Sequence, residues 1–154
     1  MLRLIAISTT LMTLVGCASI TGDTTQPMKL DARTKDKQVI TSADCTMTND
    51  YGSVNAKSGQ TVQVRRSSKD LDITCVHPSN PNAVGRAISR ANAGMMGNII
   101  FGGGVGAIID HNKGTAYSYP SWIEVVFGET LIFDRSDEKE GQPTPGRSPQ
   151  NKHD

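Results

Sequence analysis

Two cysteines stand in phase with the apolar residues of two short alternating runs, and that phase restricts the fold more than any other feature of the chain. From Val39 to Met47, the residues Val39, Ala43, Cys45 and Met47 share one face of an extended strand, and Gln38, Ser42, Asp44 and Thr46 share the other. From Leu71 to Cys75, Leu71, Ile73 and Cys75 alternate with Asp70, Asp72 and Thr74. A period of two is the mark of a half-buried strand. Both thiols therefore lie on inward faces, where they form a disulfide or remain as two buried free thiols. A bridge over that spacing stabilises a fold by roughly 3–4 kcal/mol on loop-entropy reasoning.

The same reading extends along the body of the chain. Val62 and Val64 alternate with Gln63 and Arg65, and Ile123, Val125 and Phe127 oppose Trp122 and Glu124. Gly128-Glu129 leads to Leu131 and Phe133. Asn49-Asp50-Tyr51-Gly52, Ser58-Gly59 and Ser67-Ser68-Lys69-Asp70 are turn signals between these runs. Short strands at regular spacing predict a small β-sandwich. Asn80-Pro81-Asn82 reads as a helix cap, and Val84, Ile88, Ala91 and Met95 at helical spacing predict a short helix after it.

The ends of the chain read differently. A basic head, Met1-Leu2-Arg3, precedes a largely apolar stretch from Leu4 to Val15, too short for a permanent span and suited to a signal sequence. It stops at Leu14-Val15-Gly16-Cys17, which resembles the lipobox of bacterial lipoproteins. The resemblance implies cleavage after residue 16 and acylation of Cys17, with residues 17–25 as a tether. Several acyl chains at about 0.8 kcal/mol per buried methylene hold such a protein permanently. Ala18 follows the cysteine where an aspartate would favour inner-membrane retention, so the expected address is the outer membrane, lipid-anchored and facing the periplasm. That oxidising compartment favours the Cys45–Cys75 disulfide. Residues 134–154 contain no apolar side chain and three prolines, which predicts a disordered tail. The predicted domain is thus 26–133.

Four phrases, "CTMTNDYG", "DLDITC", "GNIIFGGGVGAIID" and "YSYP", resemble a group of small bacterial lipoproteins with a PEGA-like β-sandwich. The likeness covers roughly residues 38 to 127. It implies a sandwich fold and a cell-envelope address, and brings no catalytic residue with it.

The segment from 94 to 110 is apolar yet holds six glycines. Gly102, Gly104 and Ala107 fit a dinucleotide fingerprint, but Asp110 to Gly114 leaves no room for the crossover helix that fingerprint needs. Residues 91–109 are uncharged over 19 positions, close to a membrane span, but the glycines dilute their apolarity. Gly94, Asn98, Gly102 and Gly106 recur every fourth residue, which predicts a glycine-rich helix with a groove of small residues. Such a groove admits the protein's own sheet, a second copy or an envelope partner. Gly114 is then the left-handed residue at the helix stop.

Catalytic constellations are missing from the sequence. His77, His111 and His153 are scattered, no Cys/His spacing fits a metal, and no serine sits in a G-x-S-x-G context. Sixteen basic residues stand against 15 acidic ones, and removal of residues 1–16 takes away only Arg3, so the balance near zero argues against a nucleic-acid partner. Tyr117, Tyr119 and Trp122, near Pro120, form either a sugar-binding shelf or a cover for the sandwich edge. No cofactor, metal or nucleotide is expected. The expected function is a non-catalytic, lipid-anchored envelope structural or interaction module. The alternatives are a membrane-active protein assembling through its glycine-rich helix and a peptidoglycan-binding lipoprotein.

Overall fold

The computed structural model describes residues 24–92 and 114–149. These residues form a mainly β, sandwich-like fold. Eleven strands run in chain order: β1 (Thr25–Arg33), β2 (Asp44–Asn49), β3 (Gly52–Lys57), β4 (Gln60–Arg65), β5 (Leu71–His77), β6 (Asn80–Ala87), β7 (Arg90–Ala91), β8 (Tyr117–Ser118), β9 (Trp122–Val126), β10 (Thr130–Phe133) and β11 (Gly146–Arg147). One sheet has the order β4-β1-β9, a second β11-β10-β6-β5-β2-β3, and β7 and β8 make a separate ribbon.

The sheets meet through alternate residues. Met28, Leu30, Ala32, Val64, Ile123 and Val125 come from the smaller sheet. Cys45, Met47, Leu71, Ile73, Cys75, Ala83, Ala87 and Phe133 come from the larger. Cys45 lies directly opposite Cys75 in the β2–β5 register, and the two form a disulfide. Residues facing each other across an antiparallel pair need no further loop to meet, so strand phase together with the β2–β5 register brings the thiols together.

Two parallel pairings organise the rest. β9 runs parallel to β1 in one sheet and β10 parallel to β6 in the other, so the chain changes sheets between Val126 and Thr130. β1 was not apparent as a strand in the sequence, although Gln26, Met28, Leu30 and Ala32 alternate inward. Its Pro27 is tolerated because the donors of that parity face β9, whose pairing starts only at Lys29.

Three expectations need correction. The helix predicted after Asn80-Pro81-Asn82 is strand β6, with Ala83, Gly85 and Ala87 inward and Val84 and Arg86 outward. Small inward residues and an outward valine hide a period of two. The strand predicted from Val39 begins at Asp44, since Val39 is 68% exposed and makes only a single bridge to Arg33. The tail predicted to be disordered is built into the domain as far as 149. Arg135–Asp137 is a 3-10 helix, β11 pairs with β10, and the buried Thr144 donates its N–H to the carbonyl of Trp122. Backbone pairing holds this stretch, and composition counts only side chains. Gly146 packs closely there: a Cβ would stand 2.8 Å from Leu131 Cδ1 and 3.0 Å from Phe133 Cε1, so those side chains would have to shift.

Cys17, the leader and the predicted glycine-rich helix at 94–110 lie outside the described residues.

Candidate functional site

One end of the sandwich gathers the connections that lead to the glycine-rich segment. β7 and β8 form a short antiparallel ribbon with Arg90 opposite Ser118 and Ala91 opposite Tyr117. Asn92 extends it by donating its N–H to Ala116 O at 2.7 Å and its Nδ2 to Thr115 O at 3.1 Å. The chain thus leaves at Asn92 and returns at Gly114 on the same ribbon.

The stem is fastened to the sandwich on several sides. Asn92 Oδ1 accepts from Ser118 Oγ at 2.7 Å and from Arg135 Nη1 at 2.9 Å. Arg66 donates Nη1 to Ser118 Oγ at 3.1 Å and Nε to Thr25 O at 3.2 Å, and its backbone N–H reaches Thr24 O at 2.9 Å. Ser89 N–H donates to Asp70 Oδ1 at 3.0 Å. Gly114 has φ +74°, as expected of a left-handed residue, and a Cβ on it would stand 2.5 Å from Arg66 O. Both a side-chain-free backbone and a positive φ are therefore needed where the returning chain crosses Arg66.

An ion pair secures the entering strand. Arg90 donates Nε to Asp134 Oδ1 at 3.0 Å, and its Nη2 pairs with Oδ2. Asp134 also accepts from Ser136 N–H as the cap of the 3-10 helix. The hydrogen bond from Arg90, above all, holds the Asp134 carboxyl well below the usual carboxylate range, against the opposing effect of its burial.

The aromatic shelf does not form. Tyr119 is buried, its backbone N–H and C=O joined to the side chain of Gln26 at 3.0 Å each. Its phenol donates to Lys69 O at 2.7 Å and accepts from Asn49 Nδ2 at 3.1 Å, and burial pushes its pKa up. Trp122 is half-buried on β9, its indole N–H bonded to Asp31 at 2.7 Å and its ring 3.7 Å from Lys29 Nζ. Tyr117 lies on the stem. The three aromatics therefore serve the core, the sheet face and the ribbon separately. His77 makes a turn contact, its Nδ1 3.0 Å from Asn80 Nδ2.

Of the predicted interaction residues, Gly94, Asn98, Gly102 and Gly106 lie outside the described residues, as does His111. The sequence reading missed Arg66, Arg90, Asn92, Ser118, Asp134 and Arg135, which converge at the stem from four separate stretches. Asn92 and Ser118 flank the glycine-rich run, which was the one available signal. Among the described residues, no helix is long and apolar enough to cross a membrane, and no cluster of His, Cys, Asp or Glu could hold a metal. No protein-family model matches the chain, and neither does any curated protein or solved structure.

Proposed function

We propose that the chain is a lipid-anchored, non-catalytic module of the cell envelope, held at the outer membrane through Cys17 and acting through its glycine-rich segment. The likeness to PEGA-like lipoproteins supports the same address. The observation that carries the reading is the convergence on Arg66: Thr24, Asn92 by way of Ser118, and Gly114 all meet it. Seven residue steps from Cys17 to Thr24 reach at most about 25 Å. That is no more than the length of the nine-residue β1 at about 3.3 Å per residue. A domain on so short a tether presents this end to the bilayer. The apolar segment then emerges on the membrane side, where another copy or a membrane-embedded partner can reach the groove of Gly94, Asn98, Gly102 and Gly106.

The test is the association state of the acylated protein, by cross-linking in detergent and in membranes. Oligomers or a captured partner lost on Gly102→Leu, with the domain still folded, support the reading. A monomer that captures nothing in either setting refutes it.

A second reading, direct action on the bilayer, draws on the same geometry. Asn92 and Gly114 sit together on one ribbon, an arrangement that supports insertion from one side. Dye leakage from liposomes, abolished by Gly102→Leu, favours this reading.

A further inference from the structure

Beside the stem lies a polar cavity of about 350 Å³ whose lining includes Gln26, Arg66, Ser118, Ser121, Arg135 and Glu138. Arg66 is half-buried, and no carboxylate among the described residues pairs with it. Its guanidinium gives Nε to Thr25 O and one Nη1 hydrogen to Ser118 Oγ, leaving further donors of the planar fork without a partner among the described residues. Arg135 also lines the cavity, its Nη1 donating to Asn92 Oδ1. Glu138 also lines the cavity, one oxygen taken by the N–H and hydroxyl of Ser121 and the other 3.8 Å from Arg135 Nε.

A cation drawn partly out of water without a counter-charge is an anion site in waiting, and guanidinium forks match the paired oxygens of phosphate. Two guanidiniums and one carboxylate leave a single net positive charge. That balance fits a singly charged phosphodiester better than a doubly charged phosphate monoester.

We propose that this cavity binds a phosphodiester, with Arg66 and Arg135 donating to its non-bridging oxygens and Ser118 and Gln26 bounding the site. The group could come from a phospholipid headgroup or from a soluble phosphodiester. The expectation of a lipid source rests on the lipoprotein reading above, because that reading turns this end toward the bilayer. The cavity's preference for the phosphate does not depend on it.

The experiment uses the acylated full-length protein in a maltoside detergent at low salt. It is titrated with dihexanoyl phosphatidylglycerol and, separately, with glycerophosphoglycerol, the same headgroup without acyl chains. Binding is read by calorimetry and by fluorescence of Trp122, the chain's one tryptophan, which follows the cavity residue Ser121. Saturable binding is expected, weakened about tenfold or more by Arg66→Gln and by Arg135→Gln, as the loss of a charge-assisted hydrogen bond implies. Glu138→Gln is expected to tighten it several-fold. Equal binding of both compounds assigns a soluble source, and binding of the lipid alone assigns a headgroup; either supports the site.

Absence of saturable binding by both compounds overturns the proposal. So does binding that the folded arginine variants leave unchanged. Should Arg66→Gln not fold, Arg135→Gln and Glu138→Gln decide, since their opposite signs cannot come from general destabilisation. Mass spectrometry of Cys17 separates the two ideas. A bare thiol with intact phosphodiester binding removes the lipoprotein reading and leaves the site. An acylated Cys17 without arginine-dependent binding removes the site alone.

Discussion

Gly114 and Gly141 share a φ of +74° but not their surroundings, and the pair isolates what the stem's close packing contributes. Replacing either by alanine places a Cβ in the left-handed region, at about 1–2 kcal/mol. Part of this, about 0.4–1 kcal/mol, is regained because alanine restricts the unfolded chain. Gly141 has nothing within 4 Å of the new atom, so Gly141→Ala is expected to cost about 1 kcal/mol in all. At Gly114 the same atom meets Arg66 O at 2.5 Å, Arg66 C at 3.0 Å and Ser67 Cα at 3.1 Å. All three are backbone, so no rotamer change relieves the contact, and overpacking of this kind adds about 1–3 kcal/mol. Gly114→Ala is therefore expected to cost about 2–4 kcal/mol in total. Equilibrium urea unfolding of both variants, followed by Trp122 fluorescence, gives the two values directly. Equal losses would mean that the returning chain does not press on Arg66, and the argument that the stem is rigidly seated would fail.

Three further perturbations test the fold and its fastening. Cys45→Ala/Cys75→Ala opens a bridge of sequence separation 30 and is expected to lower unfolding free energy by about 3.5 kcal/mol in denaturant titrations. Tyr119→Phe removes a phenol bonded to Lys69 O and Asn49, with an expected loss of about 1–1.5 kcal/mol. Because burial raises that phenol's pKa, the wild-type fold loses stability as pH rises past about 10, where the unfolded tyrosine ionises first, and the phenylalanine variant loses less. Asp134 has a depressed pKa, so its contribution is complete above the unfolded value near 4 and is lost as pH falls from there toward the folded value. Acid unfolding curves of the wild type and of Asp134→Asn are expected to converge below about pH 4, with the variant less stable at neutral pH.

The strand core was readable because its information is local. Cys45, Met47, Leu71, Ile73, Cys75, Ile123, Val125 and Phe133 announce their inward face by alternation within a few residues, and all are buried. β6 escaped because its inward positions are Ala83, Gly85 and Ala87, which carry almost no hydrophobic contrast with their neighbours. The stretch to 149 escaped for a related reason. Its order comes from main-chain pairing with β10 and from ion pairs such as Arg147 with Asp137, and neither leaves an apolar trace.

The stem was illegible for a different reason, which also bears on what it can do. Arg66 follows β4, Asn92 extends β7, Ser118 ends β8, and Asp134 and Arg135 follow β10. No window of sequence contains more than two of them, and each looks like an ordinary surface residue in its own window. They meet only because β4, β6 and β10 all end at the same pole, a consequence of register that depends on the whole sandwich. The functional elements thus divide by range. The cysteine proposed as the anchor and the glycines proposed to make contact are local motifs, whereas the stem that flanks the glycine-rich run is a product of topology. A larger side chain at Gly85, whose Cβ would stand 3.1 Å from Phe133 Cε2 inside the core, is then expected to disturb the stem through β6 and β10 without touching it.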